Sequence, residues 1–342
     1  MKAVEIKRVG HAELIDLRIP EAGPGEVQVK IHSTGICGSD LAAYTGKHPY
    51  RIPPVVTGHE AAGTITVLGD GVQELKVGDP VIIEPHFGCG QCTFCASGDY
   101  NLCRTKRVLG TAQWPGSFAE YVVVPAACAY KLPPAMPMSV ATLAEPLSVG
   151  LHAVRKAGLE PGASVAILGS GTIGLTLLLG VLQHEPSRVI CSDLRRGNLD
   201  AALSLGASHA VNPEEKDLTL EVERITKGLG VDVCFVAVPS DAVVGQSLRI
   251  TRPKGRIVLI ALFEAPSGVD LREIQLRERE LIGTLMYTRR DYLDAIRLLP
   301  SLEGSLARLI THRITLSQVP DMLERLTRFR DNDAIKVVVE LI

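Results

Sequence analysis

The chain has 342 residues, 46% hydrophobic and 22% charged, with a formal net charge of −2. This is the composition of an ordinary globular protein, and it leaves no basic footprint for nucleic acid or for an anionic membrane surface. No apolar run reaches the length of a membrane span and residues 1–17 carry no signal-peptide core. A cytoplasmic protein is therefore expected, with its eight cysteines as thiols or metal ligands rather than disulfides.

At about 100–200 residues per domain the length predicts two domains. Residues 1–147 hold short β-branched runs at 27–31, 63–67, 81–83 and 121–124, separated by turn pairs such as Pro24-Gly25 and Pro115-Gly116. That texture predicts a β-rich domain, a barrel. Residues 148–287 alternate strand-like runs at 164–168, 188–192, 231–236 and 256–260 with helix-like segments at 172–183, 198–205 and 218–226. Alternation of this kind predicts a doubly wound parallel sheet. Residues 288–342 end in a helix at 321–329 and a strand at 334–341 whose texture matches the first domain, so the chain is expected to return there.

Residues 164–174 read SVAILGSGTIG, and Gly169, Gly171 and Gly174 fit G-x-G-x-x-G between an apolar strand and an apolar helix. The first glycine permits the tight turn, the second lets a pyrophosphate approach the backbone, and the third lets helix and strand pack closely. Thr172 and Ile173 open the helix, whose first N–H groups and positive dipole end suit phosphates. Asp193 stands where a carboxylate would take the hydroxyls of an adenosine ribose and repel a 2′-phosphate, which favours NAD over NADP. Arg195 and Arg196 pull the other way if either guanidinium faces the ribose, and are a solvated pair otherwise.

Cys89, Cys92, Cys95 and Cys103 are spaced C-x2-C-x2-C-x7-C in a lobe at 88–104. Four thiolates on so short a loop suit a closed tetrahedral zinc that folds the lobe. A ferredoxin motif would continue x3-Cys-Pro, and a zinc ribbon would show two separated pairs on a basic face. Cys128, Cys191 and Cys234 sit in or beside apolar runs and read as core. Cys37, His59, Glu60 and Glu145 stand out as polar groups among glycines and apolar residues. No local spacing links them, so a joint open zinc site and four separate structural roles are both compatible with the residues alone.

Taken together, GICGSD at 35–40, GHE at 58–60, the four-cysteine lobe, AEPLSVG at 144–150, GSGTIG at 169–174 and ITHR at 310–313 resemble the zinc-dependent medium-chain dehydrogenase/reductase family. The branch they are nearest is that of the polyol (sorbitol) and L-threonine dehydrogenases. The resemblance runs nearly end to end. It implies a GroES-like β-barrel catalytic domain (1–147 and 288–342) interrupted by a Rossmann NAD-binding domain (148–287). It implies two zinc ions per chain. Cys37, His59 and Glu60, with Glu145 directly or through water, would hold the catalytic zinc, and the lobe would hold the structural one. Asp40 would orient His59, Ser39 would pass on the substrate proton, and Lys336 would reach the cofactor pyrophosphate.

Tyr44, Leu109, Thr111, Gln113, Trp114, Met286 and Tyr287 match substrate-pocket positions of the family. The histidine that often completes a proton relay is missing, with Leu41 and Ala42 in its places, and His48 has no matching role. The implied activity is hydride transfer from a secondary alcohol of a polyol, sugar or sugar acid to NAD, with L-threonine as the alternative substrate. Family members are homodimers or homotetramers, and the loop 261–270 is a candidate contact. A zinc-stabilised nucleotide-binding regulator would lack the catalytic ligands, and a zinc-free quinone reductase would lack both GHE and the lobe.

Overall fold

The computed structural model describes residues 1–263, 265–328 and 333–341. The chain folds into two compact units, Met1–Glu145 with Ile296–Ile342, and Pro146–Ala295. The first boundary lies two residues before the sequence-derived one (145 against 147). The second falls inside a long helix rather than at 287/288.

The first unit opens with the strands β1 Lys2–Arg8, β2 His11–Asp16, β3 Glu26–Ile36, β4 Glu60–Leu68, β5 Pro80–Ile83, β6 His86–Phe87, β7 Arg107–Val108, β8 Tyr121–Pro125 and β9 Ala129–Lys131. The short helices α1 Gly38–Tyr44, α2 Thr93–Ala96 and α3 Met138–Ala141 lie between and after them. The longer α4, Ala144–Ala157, follows. The second unit carries β10 Ser164–Leu168, α5 Thr172–Leu182, β11 Arg188–Ser192, α6 Arg196–Leu205, β12 His209–Val211, α7 Leu218–Thr226, β13 Val231–Val236, α8 Asp241–Ile250, β14 Thr251–Leu259, α9 Leu271–Gln275 and β15 Glu280–Gly283. The chain ends with α10 Arg289–Leu309, β16 Ile310–Thr315, α11 Val319–Arg328 and β17 Lys336–Glu340. Of the helix read at 321–329, Phe329 lies outside the described residues.

Among the described residues the barrel sheet runs β16-β17-β3-β4-β5-β9, with β8 also paired to β3. β17 pairs antiparallel with β3, Val337 opposite Ile36 and Val339 opposite Thr34, so the chain does return to its first domain. β3 carries three neighbours over its 11 positions, with Val27, Val29, Ile31, Thr34 and Ile36 buried and only Glu26, Lys30 and His32 half-buried. Its core joins Val27, Val29 and Ile31 to Ile65, Val81, Val122 and Val339.

The sheet of the second unit has the order β12-β11-β10-β13-β14-β15, every pair parallel. Its central strands read as near-continuous apolar runs because helices cover both faces. α5 is buried from Gly174 to Val181, which accounts for its lack of an amphipathic pattern. The chain leaves β10 for β11 on one side and takes up β13 on the other. That reversal of strand order is where open α/β sheets bind ligands.

Candidate active site

In the second unit the turn after β10 has the geometry of a phosphate cradle. Gly169 adopts φ +98°, in the left-handed region that favours glycine. A Cβ on Gly174 would run into the Gly169 carbonyl, whereas one on Gly171 would enter open space at the N-cap of α5. The space beside Gly171 is thus free for a ligand, with the first turn of α5, Thr172 and Ile173, behind it. The Asp193 carboxylate accepts the Ser170 N–H at 2.7 Å and the Arg195 N–H at 2.8 Å, bracing the glycine turn against the end of β11. Arg195 is exposed at the N-cap of α6, and Arg196 is paired with Glu215 at 2.9 Å.

In the first unit, β3 ends at Ile36 and hands Cys37 to the start of α1, while β4 begins at Glu60 directly after His59. β3 and β4 are antiparallel with Gly35 opposite Glu60, so their register brings the two loops together. A Cys37 sulfur, a His59 ring nitrogen and a Glu60 carboxylate oxygen lie within 4.8 Å of one another. Asp40 fixes this arrangement from below. It is wholly buried, accepts the Cys37 N–H at 2.9 Å and the Gly58 N–H at 3.1 Å, and stands 3.7 Å from His59 Nδ1. Burial disfavours charge on both Asp40 and His59. Their mutual attraction overrides it, holding the Asp40 carboxyl below the usual range and raising His59.

Glu145 is buried near the start of α4, outside that three-atom group but close enough to favour the charged form of Lys336. The Lys336 ammonium is inside the cluster. It pairs with Glu60 and donates to the Ile36 carbonyl at 3.0 Å. Burial works against its charge, but Glu60, Cys37 and Glu145 outweigh that and raise its pKa.

The four lobe cysteines form a second group within 4.8 Å. Sulfurs around one tetrahedral zinc stand about 3.8 Å apart, given Zn–S bonds of about 2.3 Å. The Cys92–Cys95 and Cys89–Cys95 separations are 3.5 and 4.0 Å, so the lobe fits zinc. The Cys89 N–H donates to the Cys103 sulfur and helps hold that thiol down to about 6. Cys128, Cys191 and Cys234 are buried, and burial pushes Cys191 up to about 12. The Cys37, His59 and Glu60 donors, mixed sulfur, nitrogen and oxygen, likewise fit zinc with a position left for another ligand.

The residues read as pocket candidates are placed as follows. Tyr44 is buried and its hydroxyl donates to the Gly10 carbonyl. Trp114 is buried, packed edge-on to Phe87 and under Arg107, with its indole N–H on the Val123 carbonyl. Thr111 is half-buried and donates to the Val108 carbonyl. In the second unit Met286 adopts φ +52° and the buried Tyr287 stacks on Tyr292. Arg51 escaped the sequence reading. It is buried and donates to the Ser39 hydroxyl at 2.8 Å. Its one local signal was a charge set before the apolar stretch 52–56.

A β-barrel with a Cys-His-Glu cluster, a four-cysteine lobe and a separate dinucleotide-binding unit define a zinc-dependent alcohol oxidoreductase working with a nicotinamide cofactor. Residues 23–134 match the alcohol dehydrogenase GroES-like domain, and residues 171–301 match the zinc-binding dehydrogenase family. The chain is 33% identical to the sorbitol dehydrogenase of Bacillus subtilis, covering 99% of this chain and 97% of that protein. It is 36% identical to the L-threonine 3-dehydrogenase of Pyrococcus furiosus, covering 88% of each. Its fold superimposes on a zinc-binding dehydrogenase of Sinorhizobium meliloti bound to NADP with a TM-score of 0.91, at 31% identity over 99% of this chain and 98% of that one. The chain belongs to the zinc-dependent medium-chain dehydrogenase/reductase family. Among the described residues no helix is long and apolar enough to cross a membrane.

Proposed function

We propose that the protein oxidises a secondary alcohol of a polyol, sugar or sugar acid with NAD, using two zinc ions per chain. The observation that carries this reading is the convergence of Cys37, His59 and Glu60 within 4.8 Å. Zinc held there would supply a Lewis acid for the alcohol oxygen, and NAD the hydride acceptor. The chain's own residues do the rest. Cys37, His59 and Glu60 hold the metal, with Glu145 as the further carboxylate on that side. Asp40 orients both ligand loops through the Cys37 and Gly58 N–H groups. Ser39 Oγ holds the hydrogen bond of the reacting oxygen. The turn at Gly169, Gly171 and Gly174 receives the pyrophosphate, and Asp193 takes the ribose hydroxyls and disfavours a 2′-phosphate.

The deciding experiment follows NADH formation at 340 nm over sorbitol, other polyols, sugar acids and L-threonine, with NAD and NADP in parallel and Cys37→Ser as the control. Turnover of a polyol or sugar acid that Cys37→Ser abolishes is the expected result. The kinship with the Pyrococcus enzyme keeps L-threonine in the panel, and turnover of L-threonine alone would overturn the polyol reading.

The same proposal includes a homodimer or homotetramer. β15 is the outer strand of its sheet, and Leu262, Leu271, Leu276 and Leu281 are exposed on it and on the segment before it. An open apolar edge of this kind suits a partner chain. Glu264, within the candidate loop, lies outside the described residues. Light scattering that returned a single-chain mass would refute the assembly.

A further inference from the structure

The relay histidine of the family is missing, yet Ser39 is not left alone. The Arg51 side chain fills the space beside it, and the residue is only 5% exposed. Nε donates to the Gly110 carbonyl at 3.1 Å, Nη2 to the Leu109 carbonyl at 3.2 Å, and Nη1 to Ser39 Oγ at 2.8 Å. Among the described residues no carboxylate lies within 4.0 Å of this guanidinium, and Asp40 acts on it only at longer range. Burying a cation without a direct counter-ion is costly. A methionine or leucine would fill the volume at no such cost, so packing does not account for the charge.

We propose that Arg51 is a positioning residue that acts through Ser39, fixing its hydroxyl and directing the polarised O–H at the oxygen of the bound alcohol. The inference rests on the alcohol-oxidising reading of the site. A serine hydroxyl has one proton and two lone pairs, and Arg51 occupies one lone pair. An oxygen that accepts from a cation becomes a stronger donor. Its proton then interacts best with the alcohol oxygen once that oxygen has given its own proton to water and before the hydride leaves, the stage at which it carries negative charge. The two backbone carbonyls of Leu109 and Gly110 hold the guanidinium plane, so it cannot swing out to solvent. Three diverging bonds need the planar fork of arginine, which lysine lacks.

His48 does not compete for this role. Its Nδ1 accepts the N–H groups of Tyr50 and Arg51 at 3.1 and 3.0 Å, so the ring proton sits on Nε2. Nε2 lies 3.4 Å from Arg51 Nη1, farther than any of the three acceptors that hold the guanidinium. Burial and the guanidinium hold His48 down to about 4, so it stays neutral beside Arg51.

The test is a double-mutant cycle with Arg51→Met, Ser39→Ala and the pair, plus Arg51→Lys, assayed with NAD on sorbitol and on racemic 2,3-butanediol. Variants are first matched for melting temperature and zinc content. Arg51→Met is expected to lower kcat roughly tenfold with KM changed less than about threefold. Adding it to Ser39→Ala should cost nothing further, and Arg51→Lys should fall between. Losses that multiply in the double variant, or an Arg51→Met kcat within about threefold of the parent, would overturn the proposal. A second readout needs no turnover. The guanidinium 15N resonances of Arg51 in the zinc-free protein should move in Ser39→Ala, and unmoved resonances refute the contact. If neither alcohol is turned over by the parent, the substrate reading fails, while the resonances still decide for or against Arg51.

Discussion

The Lys336 ammonium and the Glu60 carboxylate form an ion pair in which each side chain is 1% exposed. The last strand of the chain thus delivers a cation into the group of metal-ligand candidates contributed by its first third. The pairing with Glu60 stands beside the pyrophosphate contact that the family resemblance implies for Lys336.

Replacing Lys336 leaves Glu60 charged and buried beside Cys37. Lys336→Met is expected to destabilise the zinc-free protein by about 3–5 kcal/mol, the usual cost of breaking a buried pair from one side. Added zinc supplies the lost positive charge, so the zinc-induced rise in melting temperature should be larger in the variant than in the parent. Scanning fluorimetry with and without zinc measures this. If Lys336 served the cofactor instead, titration calorimetry would show weakened NAD binding and an unchanged zinc response.

The lobe is held by its four sulfurs and is tied to the barrel through Tyr100. The Tyr100 hydroxyl donates to Glu84, which also accepts the Tyr130 hydroxyl at 2.7 Å. Cys103→Ser is expected to remove one zinc per chain by elemental analysis. Protease cleavage should then appear within 88–104 while the barrel stays folded. Retention of full zinc content would show that the lobe is not a metal site.

How far the residues announced this arrangement depends on how local each signal is. The strands Ser164–Leu168, Arg188–Ser192 and Val231–Val236 were legible to the residue, since a buried parallel strand is a short apolar run between turn signals. The lobe was legible because all four thiols sit within 15 residues. Cys37 and His59 were not linked by any spacing. Their meeting depends on the β3–β4 register, which only a resemblance to a known family could anticipate. Arg51 was invisible because its significance arises from three acceptors supplied by two other segments. Lys336 lies some 300 residues from its partner Ile36, beyond any local pattern.

The proposed preference for NAD rests on Asp193, which already accepts two backbone N–H groups. Asp193→Ser should loosen the glycine turn and remove the carboxylate that repels a 2′-phosphate. The expected outcome is a loss of about 10–100-fold in kcat/KM for NAD, the worth of charge-assisted hydrogen bonds, with a smaller loss for NADP. Parallel kinetics with the two cofactors give the ratio. An unchanged ratio would mean that Asp193 serves the turn alone, and a parent that prefers NADP would show that Arg195 or Arg196 dominates.

The second unit contains a buried carboxylate whose charge should register as acid sensitivity. Asp291 accepts from His152 Nδ1 at 3.0 Å, from the Thr288 N–H at 2.9 Å and from the Thr288 hydroxyl at 2.7 Å, and it pairs with Arg155. Burial opposes its charge, but the His152 and Thr288 bonds outweigh that and hold its carboxyl below the usual range. A carboxyl with a depressed native pKa contributes stability that is complete above the unfolded value of about 3.9 and is lost as pH falls through the native value. Asp291→Asn should therefore cost about 2 kcal/mol near pH 7, a drop of several degrees in melting temperature. The gap between parent and variant should narrow as pH falls below about 4. Melting curves from pH 3 to pH 8 test the sign, and a gap that widened in acid would mean that Asp291 is held protonated rather than charged.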